Sequence, residues 1–167
     1  MQHLARDHAR VPMAWDGKAK HGGFSEPAIK AGQDVAEPWM KAHPLASEIN
    51  VASQLDDPRS VLAFWRRMLA FRKEHADVLV YGDYTGLQED NKETFMFLKE
   101  AQGGLQRVLV VLNFTKEPQT WAMPSAAELG LEPQDTVKMT RILSTYEGKG
   151  KDQALQPFEG QVFTIGA

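Results

Sequence analysis

The chain contains no cysteine, which excludes disulfides and thiolate metal sites and fits a reducing, cytoplasmic setting. No apolar run approaches the about 18 residues needed to span a bilayer, and the first residues carry no signal-peptide-like apolar region. Positive charge is not in excess. A net charge of −3 gives no electrostatic reason to expect nucleic acid or a membrane as partner. Internal repeats and low-complexity tracts are missing too. What is present is an ordinary globular mixture, 43% hydrophobic and 25% charged, which argues against disorder. Its 167 residues suffice for one domain, or one domain and part of another.

The clearest helical signal runs from 57 to 75. Asp57 suits the N-cap and Pro58 the first helical position, where no donor is required. At 3.6 residues per turn Val61, Leu62, Phe64, Trp65, Met68, Leu69 and Phe71 share an arc of roughly 180°. So wide an apolar face predicts a helix pressed against a large core, with that arc docked on the β region that follows. Arg72, Lys73 and His75 place positive charge in the last turn, where the helix dipole favours it.

Residues 1–56 read as a long irregular stretch with prolines at 12, 27, 38 and 44. Loops of this length inside a compact domain are uncommon, and are usually functional or else stripped of their surroundings. Arg6 and Arg10 are four apart, so one helical turn would put both on one face. Paired guanidiniums can bind a carboxylate, a phosphate or adjacent sugar hydroxyls, or can form a structural ion pair, with Asp7 the nearest candidate. Trp15, Phe24 and Trp39 are first read as core anchors, with stacking on a sugar face the second reading. His3 and His8 are five apart without an acidic ligand at a recognised spacing, so no metal site is expected. Residues 49–51 read as a short extended piece, and 52–55 as a turn before the main helix.

From residue 79 onward short alternating runs replace the helical pattern. Strands are expected at 79–88, 94–100, 107–114, 119–123, 137–144 and 161–165, separated by turn formers such as Asp90-Asn91-Lys92 and Gly103-Gly104. The continuous run from Arg107 to Phe114 predicts a strand covered on both faces. A polar loop follows at 124–133 with one helical turn at 125–129, and Gly148-Lys149-Gly150-Lys151 forms a flexible tip. Six short strands imply a small antiparallel sandwich or meander. This region has no pair of acids, no Ser/His/Asp set and no glycine-rich phosphate loop, so it reads as a structural module without a cofactor.

The order of these segments meets a family pattern. Arg6-Asp7-His8-Ala9-Arg10-Val11-Pro12-Met13-Ala14-Trp15 resembles the Arg-Asp-x-x-Arg-Thr-Pro-Met-Gln-Trp segment of α-glucosidases of glycoside hydrolase family 13, the maltases and oligo-1,6-glucosidases. Gly23-Phe24, Pro38-Trp39, Ile49-Asn50-Val51, Asp57-Pro58 with Ser60-Val61-Leu62, and Val110-Val111-Leu112-Asn113-Phe114 continue the resemblance in order. Val11, Ala14, His43 and Ala46 depart from it.

The resemblance implies an α+β chain: the end of a (β/α)8 barrel at 1–78, made of a long loop and the last helix, followed by a β-sandwich at 79–167. It implies that Arg6 and Arg10 contact an α-glucoside oligosaccharide in a full-length parent, with Arg6 the closer. The family's catalytic carboxylates come from motifs not found here, so no catalytic residue, metal or cofactor is expected in this chain. An alternative is a free-standing truncated protein whose β region serves as a carbohydrate-binding or interaction module.

Overall fold

The structure, a computed structural model, describes residues 10–25, 37–146 and 153–166. Arg6, with His3, Asp7, His8 and the tip at 148–151, lies outside the described residues. The chain is a mixed α/β arrangement with an antiparallel sheet, and it divides into two compact units, Met1–Arg66 and Arg67–Ala167.

In the first unit two 3₁₀ turns, Lys20–Gly23 and Pro44–Ser47, precede the short helix α1 (Val51–Leu55). Of the piece expected to be extended, Asn50 has β backbone angles (φ −150°, ψ 168°), and Val51 already belongs to the helix. The reason is a capping box: Asn50 Oδ1 accepts the Ser53 N–H at 2.9 Å, and Ser53 Oγ accepts the Asn50 N–H at 3.3 Å. Two satisfied donors outweigh the strand preference of Ile49 and Val51.

Helix α2 (Val61–Glu74) starts later than Asp57 would place it. Asp57 spends its carboxylate on the Arg59 N–H at 2.9 Å, and its carbonyl accepts the Ser60 N–H at 3.1 Å, closing a turn. Ser60 is the cap instead, its Oγ accepting the Ala63 N–H at 3.1 Å while Gln54 Oε1 accepts the Leu62 N–H at 3.0 Å.

The broad docked arc expected of this helix is not what the structure shows. No residue of α2 is buried, and Val61, Trp65 and Leu69 form an exposed stripe at intervals of four. Phe71 alone of the seven arc residues packs against a buried cluster. Amphipathic patterning specifies which face can be buried; here Leu62, Phe64, Met68 and Phe71 are half-buried, while Val61, Trp65 and Leu69 stay exposed.

In the second unit the end of α2 is followed by α3 (Ala76–Leu79), whose last residue is where a strand was expected to begin. Helical hydrogen bonds from Leu79 N to His75 O and from Val80 N to Ala76 O, both 2.9 Å, delay the extended chain. Strands β1 (Asp83–Leu87), β2 (Thr94–Glu100), β3 (Arg107–Asn113), β4 (Gln119–Thr120), β5 (Lys138–Ser144), β6 (Ala154–Leu155) and β7 (Gly160–Gly166) follow. Five form one antiparallel sheet in the order β1-β2-β3-β7-β5, while β4 and β6 pair separately. The two-residue β6 was not foreseen, being too short to carry a period.

Strand β3 is covered on both faces, as its unbroken apolar run requires. Leu109 and Val111 enter a cluster with Met96, Leu98, Trp121, Leu129 and Phe163. Val108 enters another with Val78, Ala101 and Val162. In β2 the alternation sends Met96 and Leu98 inward and leaves Phe95 exposed. Glu100 and Arg107 face one another in the β2–β3 register and pair at 3.1 Å.

The helical turn in the 124–133 loop is stapled by Ser125 and Glu128. Glu128 Oε2 accepts both the N–H and the O–H of Ser125 at 2.8 Å, which holds its carboxyl below the ordinary value. Leu129, next along, is fully buried. Among the described residues no helix is long and apolar enough to cross a membrane.

Candidate functional site

The irregular stretch is held in shape by one buried amide. Asn50, besides capping α1, donates from Nδ2 to the carbonyls of Ala46 at 3.1 Å and Ser47 at 3.4 Å. Gly17 lies so close that an added Cβ would stand 2.6 Å from Asn50 Nδ2 and from Ser47 O, so only glycine fits there. The free N–H groups of Val51 and Ala52, at the start of α1, donate to the carbonyls of Ala14 and Trp15 at 2.9 Å each. On the other side the Gly22 carbonyl accepts from Trp15 N at 2.7 Å and Asp16 N at 3.0 Å. Residues 14–16 are thus tied at both edges to backbone.

Arg10 and Trp39 meet across this stretch. The guanidinium carbon of Arg10 lies 5.8 Å from the centre of the Trp39 ring, within cation–π range. Trp39 is 80% exposed, so its ring is not a core anchor. Trp15 and Phe24 are also exposed, which corrects the first reading of all three aromatics. A guanidinium stacked in this way offers planar donors beside a π face, a combination that suits hydroxyl-rich rings. The pairing of Arg10 with Trp39 could not be read from a separation of 29 positions in irregular chain. The Pro38-Trp39 dipeptide was the only local sign of it.

Of the two arginines expected to contact substrate, Arg10 is exposed beside Trp39, and Arg6 lies outside the described residues. Among the described residues no group of three His, Asp or Glu side chains gathers to hold a metal.

A loop stitched to a short capped helix, then a longer helix, then an antiparallel sheet is an arrangement found in α-amylase-type enzymes. A trehalulose synthase, MutB, matches it with a TM-score of 0.74 at 26% identity, over 96% of this chain and 26% of that one. The trehalose-6-phosphate hydrolase TreA of Bacillus licheniformis shares the fold with a TM-score of 0.75, at 23% identity over 98% of this chain and 27% of that one. Residues 1–82 match the α-amylase catalytic-domain family. The oligo-1,6-glucosidase of Halalkalibacterium halodurans is 35% identical over 95% of this chain and 25% of its own length. The α-glucosidase of Candida albicans is 34% identical over 97% of this chain and 25% of its own. The chain belongs to the α-amylase family, glycoside hydrolase family 13. It spans about a quarter of the length of the curated relatives it matches.

Proposed function

We propose that this chain is the C-terminal part of a retaining α-glucosidase acting on maltose- and isomaltose-type oligosaccharides. Residues 1–78 supply the loop and last helix of its (β/α)8 barrel, and 79–167 its β-sandwich. The observation that carries the reading is where the catalytic-domain match stops: at residue 82, immediately before β1 begins at Asp83. Loops that follow barrel strands line the catalytic face, so the stretch ahead of α2 is the part that meets substrate. In this reading Arg6 and Arg10 donate to sugar hydroxyls, with Arg6 closer to the scissile bond. Neither supplies the chemistry. A retaining mechanism needs a carboxylate nucleophile and a carboxylic acid about 5–5.5 Å apart, and these come from upstream motifs.

Grafting this chain in place of the matched quarter of the Halalkalibacterium oligo-1,6-glucosidase provides the test. The graft should hydrolyse isomaltose, while the chain alone should not turn over a nitrophenyl α-glucoside. Arg6→Ala in the graft should lower kcat/KM by about ten- to a few-hundredfold with little change in Tm, since a charge-assisted bond to a hydroxyl is worth about 1.5–3 kcal/mol. A folded but inactive graft, or turnover by the purified chain alone, overturns the reading. Unchanged kcat/KM in Arg6→Ala removes that residue from the substrate contacts.

A further inference from the structure

The five-stranded sheet ends in two edge strands, β1 and β5, and they are built differently. Strand β5 carries Lys138 and Arg141 and is broken by a bulge between Arg141 and Leu143. Charges and bulges are the devices that keep a sheet edge from pairing with another chain. Strand β1, Asp83-Tyr84-Thr85-Gly86-Leu87, has no lysine, arginine, proline or bulge, and its register with β2 runs unbroken. Among the described residues β2 is its only strand partner, and Asp83, Tyr84 and Thr85 are exposed. Beside this open edge lies a tier of rings, with centroids 5.4 Å apart from Tyr84 to Phe97 and 5.6 Å from Phe97 to Phe95. Tyr84 is 55% exposed and Phe95 44%. The tier has a gap at Gly86, which pairs with Phe97 in the register. The nearest atoms to that gap belong to Glu89, an exposed side chain that can swing aside.

We infer that β1 is the interface of a homodimer, in which two copies join edge to edge, antiparallel, about a two-fold axis at Thr85. An axis there sets Thr85 against Thr85, a favourable cross-strand pair, and Tyr84 of each copy against Gly86 of the other. Each tyrosine ring then fills the gap beside Phe97 of the second copy, and an aromatic ring opposite an edge glycine covers its bare backbone. With the axis at Tyr84 or Gly86 instead, both gaps stay open, so the strand's own sequence selects one register. That self-matching is why the occupant is a second copy. Like charges are not opposed, because Asp83 meets Leu87. Glu89, moved from the gap by the incoming Tyr84, finds an opposite charge in Lys99 of the second copy, which lies beside Tyr84 in the β1–β2 register. Five paired residues a side bury less than the ~1,000 Å² of a tight interface, so the dimer is weak, with a Kd of about 0.1–1 mM. None of these residues enters the glucosidase reading, so either can fail without the other.

The 167-residue chain has no cysteine, so one introduced thiol reports the register. Every sample carries Trp65→Gln, which removes association through the exposed stripe of α2. Thr85→Cys sets two sulfurs across the axis, where opposed Cα atoms are about 4.5–5.5 Å apart and within disulfide reach. Asp83→Cys leaves them about 13 Å apart along the strands. At about 0.5 mM chain with oxidised glutathione, Thr85→Cys should form a covalent dimer at least about tenfold faster than Asp83→Cys, or than Thr140→Cys on the β5 edge. Sedimentation velocity gives the second reading. Thr85→Lys, which opposes two ammonium groups at an exposed position, should weaken the dimer at least about tenfold, while Thr140→Lys leaves it unchanged. A chain that stays monomeric at about 1 mM overturns the proposal, as does equal cross-linking by Asp83→Cys or undiminished dimerisation of Thr85→Lys.

Discussion

Arg10 places its guanidinium carbon 5.8 Å from the centre of the Trp39 ring, joining two points of an irregular stretch. At an exposed site a cation–π contact is worth about 0.5–1 kcal/mol, enough to bias the guanidinium plane without fixing the fold. In the grafted glucosidase, Trp39→Ala is expected to reduce kcat/KM by about two- to fivefold, and Trp39→Phe to recover part of that. Steady-state kinetics on isomaltose, with Tm recorded beside it, separates this from a structural role, which would move Tm and leave the Phe variant no better than Ala.

Asn50 supports the same stretch through hydrogen bonds rather than stacking. Its loss removes a cap and leaves the Ala46 and Ser47 carbonyls without their side-chain donor. Asn50→Ala should therefore cost about 1–3 kcal/mol in the first unit, against a few tenths for Ser47→Ala, whose side chain is exposed. Urea denaturation monitored by tryptophan fluorescence would show it, and an unchanged midpoint would rule out Asn50 as the hub.

Burial predicts opposite outcomes for two large residues of similar sequence hydrophobicity. Leu109 is fully buried between β2 and β7, so Leu109→Ala should destabilise the sheet by about 2–5 kcal/mol. Trp65 on α2 is 59% exposed, so Trp65→Gln should alter stability by less than about 0.5 kcal/mol. The same change should reduce self-association of the chain, because it interrupts the Val61–Trp65–Leu69 stripe. Differential scanning calorimetry and sedimentation velocity check the two claims separately.

Glu128 gives a pH signature. Its carboxyl is held below the ordinary 4.5, first by the Ser125 backbone N–H and then by the Ser125 hydroxyl. A carboxyl depressed in the folded state contributes stability above about pH 4.5, and loses it as pH falls through the lowered value. Because Glu128 is exposed, the effect is local. Protection of the Ser125 amide, taken relative to its intrinsic exchange rate at each pH, should fall below that window in the native chain and be low at all pH values in Glu128→Gln. A flat profile in the native chain would refute the staple.

The sequence by itself determined the strand alternation of β2, the two-sided burial of β3 and the existence of a long amphipathic helix. These follow from side-chain periodicity, which each segment carries alone. It also carried the ordered family motifs, since a motif is local by nature. Tertiary structure decided the rest. Helix α1 starts at Val51, and α2 at Val61, because Asn50–Ser53, Asp57–Arg59 and Ser60–Ala63 close side-chain-to-backbone bonds that propensity does not weigh. Whether the apolar arc of α2 is covered depends on surfaces outside the helix, so pattern could name the face without burying it. The pairing of Arg10 with Trp39 joins residues more than 20 positions apart. Only the fold of the backbone brings such residues within a few ångströms, and that proximity creates the candidate site.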